Sequence, residues 1–402
     1  MGLENRSAVS VSVKSNAFWR WFPAGMRRRW WLFRLFDLFC RYVPVFKPRR
    51  GLVVIRMDGI GDMVLFRQSL DHYADAFSVD KSEITVIGCN SWQSIADEVF
   101  AGYRVISINE HAYAKKPLYR FGINMKIRYC APKTVVSDAF FRRALMADSL
   151  AWVTGAPNTY VSYPYINEPT RSEFTYYLSQ TTDVIDTGLY PIHELDRHAA
   201  FVSHYVFEPV KAIPPVLNWR DQAPEISDGS PYVVLNPGSN EYGRRWPLED
   251  YITLSKWLVT RGVRAVFVGK ADEKAKAELI VDAAIDANII DMTGKTDLPG
   301  LMDILKFATL VVSNDTGPMH LAIGLSVPTV AVIGGGHFGS FAPYPEQATP
   351  DNVRFVYERM DCYHCFWRCH KRKDPKASFP CVAGVTQDQV QQACLELLSY
   401  NG

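Results

Sequence analysis

The chain has 402 residues, 48% of them hydrophobic and 21% charged, which excludes a disordered or collagen-like polymer and points to two α/β domains. A net charge of only +2 carries no electrostatic footprint of nucleic-acid binding. That total hides an asymmetry: residues 1–50 hold 11 Lys/Arg against 2 Asp/Glu, whereas the remainder holds 33 against 40.

From residue 16 to 46, aromatic residues and arginines interleave. On a helix, Arg27, Arg34, Asp37 and Arg41 form one narrow polar stripe, and Trp30, Trp31, Leu32, Phe33, Leu35, Phe36, Leu38 and Phe39 occupy the other faces. So apolar a helix must bury itself in protein or in lipid headgroups, and the Trp–Arg mixture suits an anionic bilayer surface. The run is far too short to span a bilayer, which needs about 20 apolar residues, and its charges interrupt any signal-peptide core. The body is therefore expected in the cytoplasm with reduced thiols. Residues 1–50 are read as a separable membrane-associating extension.

Leu52–Ile55 reads as a buried strand, followed by the turn Asp58-Gly59-Ile60-Gly61-Asp62 and a helix from Met63 to Phe77. Strands follow at Ile84–Ile87, Arg104–Ile108 and Thr134–Ser137. Residues 208–231 carry five prolines and little periodicity, the mark of a linker. A second alternation then begins: strand Tyr232–Leu235, helix Leu248–Arg261, strand Val263–Val268, helices Ala271–Ala287 and Leu298–Ala308, strand Leu310–Ser313, helix Gly317–Leu325 and strand Thr329–Ile333. A last amphipathic helix covers Asp388–Tyr400. Strands alternating with helices imply parallel, doubly wound sheets. The expected architecture is α/β, two Rossmann-like domains facing a central cleft behind an N-terminal amphipathic helix. The expected boundaries are 1–50, 51–215, 216–385 and 386–402.

Three segments fall at carboxyl ends of these strands, where open α/β sheets bind ligands. The first turn lacks the G-x-G-x-x-G fingerprint but offers Gly61 and the carboxylate of Asp62, which otherwise serves as a helix cap. Pro237, Gly238 and Ser239, with Arg244 and Arg245 in the next loop, combine small residues with guanidinium groups and suit a diphosphate, the alternative being a solvated loop. Asp315, Thr316 and Gly317 open a helix whose free N–H groups make an anion site. Pro318 fits its first turn, and His320 lies one turn in, facing the same anion or serving as a packing residue. Cys362, Cys365, Cys369 and Cys381 have spacings that suit a structural Zn or Fe ion, with reduced thiols or a disulfide as alternatives.

Together these segments resemble glycosyltransferase family 9, the lipopolysaccharide heptosyltransferase family. They match its Gly-x-Gly-Asp turn, its Pro-Gly-Ser loop with a basic-Trp-Pro sequence, and its Asp-Thr-Gly-x-x-His signature. Thr154–Pro157, His193–Arg197 and Ser326–Ala331 extend the likeness over roughly residues 51–400. The resemblance implies a GT-B fold and metal-independent, inverting transfer from a nucleotide sugar, most often ADP-heptose. Asp62 matches the general base, and Arg244 replaces a common phosphate-binding Lys. Asp315, Thr316, Gly317 and His320 match the donor site. The implied acceptor is a glycan or lipid-linked glycan of lipopolysaccharide type, met at the inner face of the bacterial inner membrane through residues 16–46. No cofactor is implied for catalysis and no nucleic acid as partner. Gly334–Gly339 is richer in glycine than the family pattern leads one to expect. Alternatives from other classes are a protein acceptor, a GT-B nucleotide-sugar epimerase, and a non-catalytic sugar-nucleotide-binding scaffold.

Overall fold

A computed structural model describes Val11 and residues 17–270 and 287–399. Among these, the chain divides into two compact units. One contains residues up to Gly59, Ser69–Gly188 and Arg197–Lys211; the other contains Ile60–Gln68, Leu189–Asp196 and the chain from Ala212 onward.

In the first unit, the strands β1 (Leu52–Arg56), β2 (Ile84–Cys89), β3 (Arg104–Ile108), β4 (Thr134–Ser137), β5 (Asn158–Ser162) and β6 (Asp183–Ile185) form a parallel sheet in the order β3-β2-β1-β4-β5-β6. Every residue of β1, β2 and β4 is buried, as continuous β-branched runs in a sheet covered on both faces should be. Register is set with Leu52 opposite Ile84 on one side and Thr134 on the other.

The second unit repeats this plan. The strands β7 (Tyr232–Asn236), β8 (Arg264–Phe267), β9 (Ile289–Asp291), β10 (Leu310–Asn314), β11 (Thr329–Val332) and β12 (Val353–Val356) run in the order β12-β11-β10-β7-β8-β9, all parallel. Counting from its first strand, this is again the order 3-2-1-4-5-6, with the switch point between the first and fourth strands. The two sheets bear out the α/β reading. β5, β6, β9 and β12 are not anticipated from sequence: β6 and β9 have three residues each, and β5 and β12 mix polar with apolar residues, Asn158, Thr159 and Ser162 in one and Arg354 in the other. The expected helix at 271–287 falls, but for its last residue, outside the described residues.

The N-terminal segment forms two helices, Ala17–Trp21 and Arg28–Tyr42, separated by a stretch containing Pro23 and Gly25. The second is built into the first unit. Trp30 and Cys40 join a core cluster with Trp152, Phe174 and Tyr177. Of the expected polar stripe, Arg27, Asp37 and Arg41 reach inward partners, whereas Arg34 stays at the surface, donating to the Trp21 carbonyl. Asp37, 3% exposed, receives two bonds from the Arg120 guanidinium and one from Asn124 Nδ2 (2.6–2.8 Å). Arg27 pairs with Glu173, and Arg41 donates to the Trp152 carbonyl. Desolvating Asp37 and Arg120 is costly, and only this complete set of partners offsets it.

Candidate donor site at the second switch point

At the C-terminal end of the second sheet, the loop after β7 and the loop after β10 lie side by side. Asn314, the last residue of β10, stitches them together. Its Nδ2 donates to the carbonyls of Pro237 and Gly238 (2.9 and 3.3 Å). Its Oδ1 accepts from the Trp246 amide (2.9 Å) and the Tyr251 hydroxyl (3.2 Å). Asn236 Nδ2 likewise reaches Ser313 Oγ and Thr316 Oγ1. Sequence reading had not singled out either asparagine. A polar residue ending an otherwise apolar buried strand was the available signal.

The Asp315–Gly317 turn leads into the helix Gly317–Gly324, with Thr316 in extended conformation at its N-cap and Pro318 in the first turn. The Thr316 side chain makes no capping bond, so the helix's first N–H groups keep their capacity for an anion. Arg244 reaches this turn, donating to the Asp315 carbonyl and pairing with its carboxylate at 3.1 Å. The same guanidinium lies 4.5 Å from the Trp367 ring. Its Nε and the Oγ of Ser239 are buried with no hydrogen-bond partner among the described residues. Buried donors left open in this way mark a place for a ligand's acceptor atoms. Arg245 instead bends back onto the Ser239 carbonyl (2.5 and 3.0 Å) and braces the Pro237–Ser239 loop.

The first turn of the helix Ile60–Ala76 belongs to this unit. Gly61 is pressed so closely on His320 that a Cβ there would lie 2.8 Å from the imidazole Cδ2, so only glycine fits. Asp62, two residues into this helix, is therefore a first-turn carboxylate rather than its N-cap. It lies near enough to act on His320, whose pKa is lowered by burial against the opposing pull of Asp315 and Asp62. The Tyr344 hydroxyl bonds His320 Nδ1 at 2.7 Å, and the two rings stack. With the phenol donating, the ring's own proton sits on Nε2, 4.0 Å from Asp315 Oδ1. His320 is a neutral, positioned imidazole at neutral pH.

The glycine-rich stretch after β11 has a steric cause. A Cβ on Gly335 would lie 2.1 Å from Tyr363, and one on Gly336 would lie 2.1 Å from Trp367. The cysteine loop lies directly against this backbone: His364 N–H donates to the Gly335 carbonyl and Phe366 N–H to that of Gly336. Tyr190 Oη lies 3.5 Å from the Gly336 carbonyl. Burial pushes His337 down to about 4, with Arg244 and His364 adding to the effect and Asp315 opposing it.

Cys362, Cys365, Cys369 and Cys381 all line one cavity of about 10 Å³, room for a single water-sized occupant. The Gly335 amide donates to Cys381 Sγ at 3.4 Å. Among the described residues none of the four forms a disulfide. Among the described residues no three metal-binding side chains are yet drawn together as a ligand set. The donor chemistry and the cavity fit a thiolate-held ion, provided the side chains close on it.

Residues 208–370 match the model of "Glycosyltransferase family 9 (heptosyltransferase)". The lipopolysaccharide heptosyltransferase 2 of Salmonella typhimurium is 29% identical over 211 residues, 46% of this chain and 59% of that protein. The lipooligosaccharide heptosyltransferase 2 of Haemophilus influenzae is 32% identical over 109 residues, 26% of this chain and 31% of that one. In both cases the match spans less than two thirds of the relative's length. Two solved structures share the fold at 18% identity. A family 9 glycosyltransferase from Veillonella parvula has a TM-score of 0.69 and covers 89% of this chain and 100% of its own. The E. coli ADP-heptose lps heptosyltransferase II has a TM-score of 0.64 and covers 87% and 99%. An iron-containing dodecameric heptosyltransferase of E. coli, solved with ADP-D-β-D-heptose, has a TM-score of 0.53 at 15% identity and covers 89% and 79%.

Proposed function

We propose, from the match of residues 208–370 to the family model and the likeness to heptosyltransferases, that the chain is a family 9 glycosyltransferase that transfers a sugar, with inversion, from a nucleoside diphosphate donor to a glycan acceptor. The donor is ADP-heptose and the acceptor a lipopolysaccharide-type or other cell-surface glycan. The observation that carries this reading is the contact of Gly61 with His320, which holds the Asp62 carboxylate beside the Asp315–His320 signature.

In the reaction, Asp62 takes the proton from an acceptor hydroxyl as its oxygen attacks the anomeric carbon. The bond from that carbon to the diphosphate breaks, and the nucleoside diphosphate departs with the electron pair. Its developing charge meets the N–H groups at Thr316 and Gly317, the Arg244 guanidinium and the Ser239 hydroxyl, fixed donors that need no reorganisation. His320 neighbours the same diphosphate, and Arg245 holds the loop of Pro237 and Gly238 in place. Positive groups of the chain itself do the work a divalent ion does elsewhere.

Cys362, Cys365, Cys369 and Cys381 would hold a structural Zn or Fe ion, which would cross-link the loop carrying Trp367 behind Arg244. The reaction is set at the inner face of the bacterial inner membrane, because acceptors of this type are lipid-linked. Thermal-shift titration with ADP, UDP, GDP and their sugars tests the donor assignment. A selective rise with ADP and ADP-heptose is expected, since a ligand of the native state stabilises by mass action. Equal or no response to ADP overturns it.

A further inference from the structure

The helix Arg28–Tyr42 is amphipathic in reverse. Its charged groups Arg27, Asp37 and Arg41 are spent inward on Glu173, Arg120 and the Trp152 carbonyl. Its outward face carries Trp31, Leu32, Leu35, Phe39 and Tyr42, followed beyond the helix end by Phe46. These are 43%, 58%, 75%, 60%, 65% and 97% exposed. The spacing 32, 35, 39, 42 alternates three and four residues, the signature of one continuous stripe. The preceding turn, tied to this helix by the bond from Arg34 to the Trp21 carbonyl, adds the exposed Trp21 and Phe22. So contiguous an apolar face on a soluble domain marks an interaction surface.

The charges around this face select the partner. Arg20, Arg28, Arg29, Lys47 and Arg50 are exposed, and the sole acidic residue between 17 and 50, Asp37, is buried against Arg120. An apolar stripe on a segment whose exposed charges are all cationic complements a surface that is anionic outside and apolar just beneath. A second copy would bring two cationic rims together. No described helix is long and apolar enough to cross a membrane. We infer that the outward face of Arg28–Tyr42 lies flat on an anionic bilayer, with Trp31, Leu35 and Phe39 entering the headgroup boundary and the arginines on lipid phosphates. This deepens the membrane-proximal part of the function proposed above and rests on that part alone.

The test uses the full chain without donor or acceptor, sedimented with phosphatidylglycerol-containing or pure phosphatidylcholine vesicles. Binding to the anionic vesicles is expected, at least about tenfold weaker on phosphatidylcholine and for Arg28→Glu/Arg29→Glu. Leu35→Glu/Phe39→Glu should also lose about tenfold or more. Both variants change exposed side chains, so unchanged melting and ADP binding serve as the folding control. Equal binding by wild type and variants, or equal binding to both vesicle types, overturns the inference. So does a dimer that dissociates in Leu35→Glu/Phe39→Glu, or vesicle binding that appears only once residues 1–16 are removed. Loss of ADP binding in an otherwise vesicle-competent wild type would sink the transferase reading and leave this one standing.

Discussion

The two sheets share one strand order, yet their switch points are furnished in opposite ways. In the first, Arg56 at the end of β1 pairs with Asp138 after β4 and with Asp58, both at 2.7 Å, and Tyr73 and His198 complete the ring around Asp138. Burial raises the Asp138 pKa, but His198 and Arg56 overcome this and hold it far below the usual carboxylate range. In the second, Ser239 Oγ and Arg244 Nε are buried with no hydrogen-bond partner among the described residues, beside a helix N-terminus and close-packed glycines. A buried network of ion pairs builds a rigid frame. A set of donors left open is built to receive an anion. The same topology thus carries a buried ion-pair network in one unit and the donor site proposed above in the other.

Five substitutions probe this contrast and the N-terminal helix built onto the first unit. Asp62→Ala should cut the transfer rate by about 10²–10⁴-fold, the range for losing a general base, with ADP affinity retained in calorimetry. Near wild-type turnover would remove Asp62 from the mechanism. Asp37→Ala, which leaves Arg120 charged and buried, should destabilise by about 3–5 kcal/mol in denaturant titration. Leu35→Glu on the outward face of the same helix should stay within about 0.5 kcal/mol. If the two match, the helix is not built in as described. Arg244→Lys should weaken ADP binding by about tenfold or more, because a point charge replaces a fork shared between Asp315 and the ligand. The corresponding change at the first switch point, Arg56→Lys, should alter stability and leave ADP affinity alone.

The smallest effect is a pH slope. His337, facing Asp315, Arg244, His364 and Tyr190, has a folded-state pKa of about 4 against 6.5 unperturbed. A histidine depressed in the native state takes up protons first in the unfolded chain. Its contribution to stability is complete above about 6.5 and is lost as pH falls towards 4. The melting temperature should therefore drop between pH 7 and 5, and His337→Gln should flatten that drop. An unchanged slope would mean that His337 is not the group responsible.

The residues that sequence reading found at the site are those whose type is itself the signal: Gly61, the Pro237–Ser239 turn, and the Asp315–Gly317 helix start with Pro318 behind it. What it missed depends on long-range contact. Asn314 lies just past the strand expected at Leu310–Ser313, yet its side chain ties together Pro237, Gly238, Trp246 and Tyr251. The excess of glycine at 334–336 was visible, but its cause, the Tyr363 and Trp367 rings packed on that backbone, exists only once the cysteine loop folds over it. The stripe of Arg27, Arg34, Asp37 and Arg41 has helical periodicity, but the inward direction of Arg27 and Asp37 is set by Glu173 and Arg120, more than 80 residues away, while Arg34 stays at the surface. For the same reason, removing residues 1–48 would strip Trp30, Phe33, Asp37 and Cys40 from the core, so the segment is not separable as expected.

The central claim is that the open donors of the second switch point hold a nucleoside diphosphate while Asp62 activates an acceptor. It is tested most directly by following ADP release from ADP-heptose with and without a lipopolysaccharide-core acceptor. The account predicts release that depends on acceptor and disappears in Asp62→Ala. Release at the same rate without acceptor, or undiminished in Asp62→Ala, would contradict it.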